Sequence, residues 1–259
     1  MPDPTTIAPT VFPALRYLDA RAAIDWLIQA FGFRKKAEVQ GPDGTIVHAE
    51  LGFGPSVLGI SSATPPTADN SWSSVRQGIY VCVTDVDAHY ARAERAGAEI
   101  VMPIRDMDYG SREYTARDPE GFLWGFGSYP MGRGEGAPTL FPEVHYRDPR
   151  AALTFLTDAL GFGRTLDVPS PDGGLLHAEV RLGDGFVMVG TRPSDTSEWA
   201  GIDALVCVYV DDPDQHHLRA RAGGATILKA PEDTPFGARQ YIARDPEGFV
   251  WIFGTYRPR

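Results

Sequence analysis

His48-Ala-Glu50 and His177-Ala-Glu179 stand 129 positions apart, and each puts an imidazole and a carboxylate at i and i+2. On a β-strand those two positions point to the same face. Such a pair supports two chemistries: a general base oriented by its acid partner, or two ligands of a metal ion. It also has a structural reading, in which His and Glu bond each other on a polar floor. Arg16, Glu143 and His145 lie on strand-like segments that would share the same space. Tyr80 and Tyr209 alternate with valines, and Trp72 and Trp199 each follow a polar stretch. Their rings offer faces for a planar or cationic ligand, or seal a sheet edge. Cys82 and Cys207 are too few for a disulfide framework and have no neighbouring nucleophile signature. Neither a glycine-rich phosphate loop nor a Ser-His-Asp elbow is present.

The elements that must position these residues follow from periodicity. In Gly78–Val83 the row Ile79, Val81 and Val83 reads as helix-covered, leaving Gly78, Tyr80 and Cys82 on the other face. The same alternation turns Leu205, Cys207 and Tyr209 away from Val206, Val208 and Val210. Leu15 and Tyr17 pack under a helix while Phe12, Ala14 and Arg16 face away, as do Phe141, Glu143 and His145. Val47, Ala49 and Leu51, and Leu176, Ala178 and Val180, take the helix side, which puts both His-Glu pairs in a cleft. Asp19, Asp85, Asp148 and Asp212 are N-caps, and Pro149 and Pro213 sit at first helical positions. The strand holding Arg112 and Tyr114, and its copy with Arg239 and Tyr241, has no clean apolar row, so its faces stay open. Trp124 and Trp251 are core; His89, His216 and His217 are expected on solvated helix faces.

The whole pattern repeats. Ala116-Arg-Asp-Pro-Glu-Gly-Phe122 returns as Ala243-Arg-Asp-Pro-Glu-Gly-Phe249, a strand–turn–strand signature with Pro and Gly at the turn's corners. Arg117 and Arg244 beside the turn are expected to form local salt bridges. Two modules, 9–130 and 138–258, flank a glycine-rich linker at 131–137, and each holds two βαβββ units.

Four βαβββ units with an Asp-Pro-Glu-Gly turn before each module's last strand resemble the vicinal oxygen chelate superfamily, which includes glyoxalase I, bleomycin-resistance proteins and extradiol dioxygenases. The resemblance covers nearly the whole chain. It implies an α+β fold of two glyoxalase-like modules, each a curled eight-stranded sheet around a cleft with helices on the convex face. Whether the units pair in chain order or exchange partners stays open. The resemblance also assigns metal ligands to four positions per site. Here those positions hold Phe12, Gly59, Gly78 and Gly125 in the first module and Phe141, Met188, Leu205 and Ile252 in the second. None ligates a divalent ion through its side chain, so no metal and no cofactor is expected. The three glycines imply a roomier first cleft and a partly filled second one.

The expected function is therefore a metal-free small-molecule binder of the bleomycin-resistance type, sequestering a hydrophobic or cationic ligand in an aromatic cleft. Its expected contacts are Arg16, His48, Glu50, Trp72, Tyr80, Cys82, Glu143, His145, His177, Glu179, Trp199 and Tyr209. The alternative is a glyoxalase-like lyase, isomerase or hydrolase with His48 or His177 as general base and the paired Glu50 or Glu179 orienting it. A dioxygenase is disfavoured, because iron needs a facial triad of ligands. The formal charge of −10 argues against nucleic acid or an anionic membrane as partner, and mildly favours a cationic ligand. Met1-Pro-Asp-Pro-Thr-Thr shows no leader pattern and no 18-residue apolar run occurs, so a cytoplasmic monomer or homodimer is expected.

Overall fold

Four aspartates open the four helices of the described residues. The carboxylates of Asp19, Asp85, Asp148 and Asp212 accept the backbone N–H groups of Ala22, Ala88, Ala151 and Gln215 at 2.9–3.0 Å, satisfying donors a helix end leaves unpaired. This computed structural model describes residues 10–64, 78–130, 137–171, 173–192, 204–235 and 237–258. Trp72, Trp199 and linker residues 131–136 lie outside them.

Unit one comprises β1 (Val11–Tyr17), α1 (Ala20–Phe31), β2 (Arg34–Gln40), β3 (Ile46–Phe53) and β4 (Ser56–Ser62). Unit two has β5 (Gly78–Cys82), α2 (Val86–Arg95), β6 (Glu99–Asp106), β7 (Arg112–Arg117) and β8 (Leu123–Gly127). Unit three follows with β9 (Leu140–Tyr146), α3 (Pro149–Asp158), β10 (Gly163–Pro169), β11 (Leu175–Leu182) and β12 (Gly185–Thr191). Unit four closes the chain with β13 (Leu205–Tyr209), α4 (Pro213–Ala222), β14 (Thr226–Asp233), β15 (Arg239–Arg244) and β16 (Val250–Gly254).

The units exchange partners. One eight-stranded sheet runs β14-β15-β16-β13-β1-β4-β3-β2 and joins units four and one. The other runs β10-β11-β12-β9-β5-β8-β7-β6 and joins units three and two. At the centre of each, two first strands pair antiparallel, with Phe12 opposite Cys207 in one and Phe141 opposite Tyr80 in the other. The helix-side cores join the units differently. Leu15, Leu27 and Phe31 of unit one pack with Ile79, Trp124 and Phe126 of unit two. Val144, Leu153 and Leu156 of unit three pack with Val206, Trp251 and Phe253 of unit four. Each unit thus shares a sheet with one partner and a core with another.

The repeated turn is the staple of each core. The buried Asp118 carboxylate accepts from the Tyr17 hydroxyl (2.6 Å), the Trp124 indole (3.1 Å) and the backbone of Glu120 and Phe122. Asp245 does the same for Tyr146, Trp251, Glu247, Gly248 and Phe249. Glu120 takes the N–H groups of Leu18 and Asp19 at 2.7 and 2.8 Å, fixing the entrance to α1 from unit two.

Two expectations need correction. His89 and His216 are not solvated: each ring bridges a buried tyrosine, Tyr114 or Tyr241, and the carbonyl of Phe31 or Leu160. An aromatic ring on a polar helix face can reach down between two elements, which helix periodicity does not reveal. Val47 and Leu176, expected beneath helices, are 59% and 61% exposed, because their strands run beyond the helix cover. The open faces on β7 and β15 are now assigned. Tyr114 and Tyr241 are core, while Arg112 pairs with Asp87 and Asp106 and Arg239 with Asp214 and Asp233. Arg117 pairs with Glu99 at 3.4 Å, a local bridge as expected.

Candidate functional site

Unit exchange decides which candidate residues meet. Because β1 lies beside β13, Arg16, His48 and Glu50 share a cleft with Cys207 and Tyr209. Because β9 lies beside β5, Glu143, His145, His177 and Glu179 share the other with Tyr80 and Cys82. The two clefts are thus built across the modules rather than within them. The contrast of a roomy first module with a filled second one does not survive: Gly78 and Gly125 stand with Phe141 and Met188, and Gly59 stands with Leu205 and Ile252.

The β5/β9 cleft holds a cavity of about 790 Å3. Glu143 sits opposite Gly78 and beside Met188, which in turn lies beside Glu179, so one row of the floor alternates small, acidic and apolar groups. Gly125 and Gly127 make room for Tyr80. A Cβ on Gly125 would stand 3.3 Å from the Tyr80 ring, and one on Gly127 would collide with its hydroxyl. Gly190 likewise seats His145, whose Cδ2 would be 2.7 Å from an added Cβ. The tyrosines tie the carboxylates together. Glu113 accepts from Tyr109 at 2.9 Å and Tyr80 at 3.3 Å, and Glu179 accepts from Tyr129 at 2.8 Å. The Tyr129 backbone N–H donates to the Tyr80 oxygen at 3.0 Å.

Electrostatics reinforce this reading. The cavity wall includes Asp108, Glu113, Glu143, His145 and His177, and no lysine or arginine among the described residues. His145 Nε2 lies 3.2 Å from Glu143 and His177 Nε2 lies 3.6 Å from Glu179. Burial pushes the Glu179 carboxyl up, but His177 and the Tyr129 hydroxyl outweigh it and hold it below the usual range. Burial, reinforced by Glu113, pushes the Tyr80 and Tyr109 hydroxyls well above their ordinary values, so both remain neutral donors. Tyr129, held by burial and Glu179, rises to about 12. Cys82 is a partly buried thiol beside Tyr80 and Phe141, raised by burial and therefore a poor nucleophile.

The β1/β13 cleft is built differently. His48 Nε2 lies 2.8 Å from the Tyr256 oxygen, and the Tyr256 hydroxyl donates to Glu50. With that proton committed to Glu50, His48 Nε2 carries the hydrogen that reaches Tyr256. Leu205, Ile242 and Val250 are buried together, with Ala14, Leu228 and Ile252 against them. Burial pushes the Cys207 thiol up to about 12 even with Arg16 beside it. Tyr209 donates to Asp211 at 2.7 Å, and its ring face carries the Arg257 guanidinium at 3.8 Å.

Glu113, Tyr109, Tyr129 and Tyr256 are site residues that sequence reasoning passed over. Tyr129 and Tyr256 had a signal: Phe126-Gly-Ser-Tyr129 repeats as Phe253-Gly-Thr-Tyr256 just past each last strand. Glu113 had none, since the faces of β7 were settled only by Tyr114 turning to the core. A groove of about 550 Å3 behind the turn at Arg117–Gly121 is lined by the turn and by Gly97 and Glu99.

The family's metal positions regroup as Phe12, Gly59, Leu205 and Ile252 in one cleft and Gly78, Gly125, Phe141 and Met188 in the other. These side chains do not fit a divalent ion, and no cluster of three His, Cys, Asp or Glu suited to a metal occurs among the described residues.

Comparison with known proteins agrees with the architecture. The model of the glyoxalase/bleomycin resistance protein/dioxygenase superfamily matches residues 7–126 and 142–253. An uncharacterized protein of Mycobacterium bovis is 36% identical over 131 residues, 47% of this chain and 84% of the relative. The Mycobacterium bovis protein CFP32, provisionally named a glyoxylase, is 26% identical over 94% of this chain and 92% of its own length. Glyoxalase I from Zea mays superposes with a TM-score of 0.75 at 16% identity, covering 96% of this chain and 92% of that one, a likeness of fold.

Proposed function

The chain belongs to the glyoxalase/bleomycin resistance protein/dioxygenase superfamily, and from that premise we propose that its β5/β9 cleft binds and sequesters a small organic cation with a planar or apolar body, without a metal. The observation that carries this reading is the wall of the 790 Å3 cavity, where tyrosines and carboxylates converge with, among the described residues, no basic counter-ion but histidine. Carboxylates held by tyrosine hydroxyls keep their position, so a cation entering meets pre-oriented acceptors. Met102, Leu166, Val168 and Met188 give its body an apolar bed. Sequestration of a toxic cation in the cytoplasm would be a resistance function of the bleomycin-resistance kind.

Calorimetric titration of the whole chain with a planar aromatic amine such as 9-aminoacridine tests the proposal. Saturable binding is expected, weakened about tenfold in Glu113→Gln or Glu143→Gln and unchanged by a chelator. No saturable binding across a panel of such cations would sink it, and chelator-sensitive binding would overturn its metal-free part.

One observation favours the catalytic reading, a lyase or isomerase with a cleft histidine as general base: His145 and its Glu143 partner face the cavity together. On that reading turnover disappears in His145→Gln and survives in His48→Gln, whose ring is committed to Tyr256.

A further inference from the structure

Carboxylates from three separate segments converge on one hydroxyl in the β5/β9 cleft. Burial pushes the Tyr109 hydroxyl up, and Glu113 on β7, Glu143 on β9 and Asp108 in the loop before β7 push it further. All of them line the same cavity, and no lysine or arginine occurs on its wall among the described residues. Glu113 accepts one hydroxyl on each oxygen, from Tyr80 and from Tyr109. An ionised carboxylate has about four acceptor positions, so Glu113 keeps room for further donors. Glu143 stands opposite Gly78, where no side chain of β5 crowds it. Ring faces, by contrast, are spent within the protein. The Tyr80 ring lies over Gly125 and beside Phe141. Tyr109 meets Tyr129, and Tyr129 meets His177, edge to face at 88°. Tyr114 is fully buried and stacks on Phe126. A quaternary ammonium is recognised by ring faces set around its methyl groups, and it offers a carboxylate no donor. Seated against Glu113 or Glu143, its methyl groups would strip water from the carboxylate without replacing the lost hydrogen bonds.

On the footing of the cation-binding function given above, we propose that the ligand of this cleft carries its charge on N–H groups, as a primary ammonium or an amidinium donating to Glu113 and Glu143, and that fully N-methylated cations are rejected. A primary ammonium brings three donors around one charge. An amidinium brings its donors in a plane that suits the two oxygens of one carboxylate. Either gives the converging carboxylates charge-assisted hydrogen bonds in exchange for the water they lose. Asp108, exposed on the same wall, adds negative charge that draws the cation in.

Calorimetry on the full chain with 2-naphthylmethylammonium and its N,N,N-trimethyl counterpart tests this, because the two share one planar body and differ only at nitrogen. The ammonium is expected to bind about tenfold or more tightly than the trimethyl compound. In Glu113→Gln that preference is expected to shrink to about threefold or less, since the amide keeps one acceptor oxygen and brings donors of its own. Glu143→Gln is expected to narrow it likewise, and serves alone if Glu113→Gln does not fold. A carboxylate that only shaped the cavity would weaken both compounds equally and leave the preference intact. Equal or tighter binding of the trimethyl compound, or a preference untouched in the folded variants, overturns the proposal and leaves cation binding standing. Saturable binding of neither compound overturns both.

Discussion

Glu179 accepts a hydrogen bond from Tyr129, a residue 50 positions away in another unit, and that bond has a measurable electrostatic consequence. Burial alone would raise the carboxyl, but His177 and Tyr129 together lower it below the usual range. A carboxyl whose folded value is depressed contributes stability above its unfolded value, and that contribution is lost as pH falls through the folded one. Tyr129→Phe removes one of these partners. Its stability deficit against the parent is therefore expected to be full at neutral pH and to shrink below the ordinary glutamate value, read as denaturant midpoints across pH 3–7. A deficit independent of pH would assign Tyr129 a packing role only. The same logic separates the histidines. His145 and His177 stand beside carboxylates on the wall of a cavity, whereas His89 and His216 join a buried tyrosine to a helix-terminal carbonyl.

At the scale of the element, β8 and β16 show how one strand design yields two clefts. Both follow the same turn and carry a core tryptophan, Trp124 or Trp251, tied to the turn aspartate. On the opposite face β8 presents Gly125 beside Tyr80, and β16 presents Ile252 beside Cys207. A large ring over glycine and a small thiol beside isoleucine are alternative ways to cover the same patch, and only the first brings a hydroxyl to the cavity wall. Gly125→Ile is expected to displace the Tyr80 ring, cost about 1–3 kcal/mol from overpacking, and weaken cation binding by about tenfold or more. Circular dichroism with calorimetry checks both, and unaltered cation affinity in a folded variant would show that Tyr80 does not shape the site.

For the whole molecule, the exchange of units makes the two modules interdependent. Each module has its own helix-side core but supplies only half of each sheet. Alone, residues 9–130 would leave the central edges of β1 and β5 unpaired, a ready template for another chain. The isolated half is expected to self-associate by setting β1 antiparallel on β5 of a second copy, the pairing that β13 and β9 provide in the full chain. The full chain, with both central edges closed internally, is expected to run as a 28.2 kDa monomer. Light scattering after size exclusion distinguishes these outcomes, and a monomeric half with native circular dichroism would contradict the argument. No helix among the described residues is long and apolar enough to cross a membrane.

The sequence by itself determined the units, their helix caps, the turn and the inward or outward sense of most residues on the first and third strands of the units. These depend on local physics: side-chain period, N-cap chemistry and the conformational freedom of glycine at Gly121 and Gly248, whose φ angles are +92° and +107°. It likewise placed Glu143, His145, His177 and Glu179 on one floor, because they alternate on strands of a single unit. Only the tertiary structure decided that this floor faces Tyr80 and Glu113 rather than Leu205 and Ile252. Pairing of β9 with β5 rather than with β13 is invisible to periodicity, since all the central strands offer the same alternation and the same free edge. The choice is made by long-range contacts, by the reach of the chain between units, and by which apolar rows close a core together. From it follow the separation of Arg16 from the acidic cavity and the different linings of the two clefts.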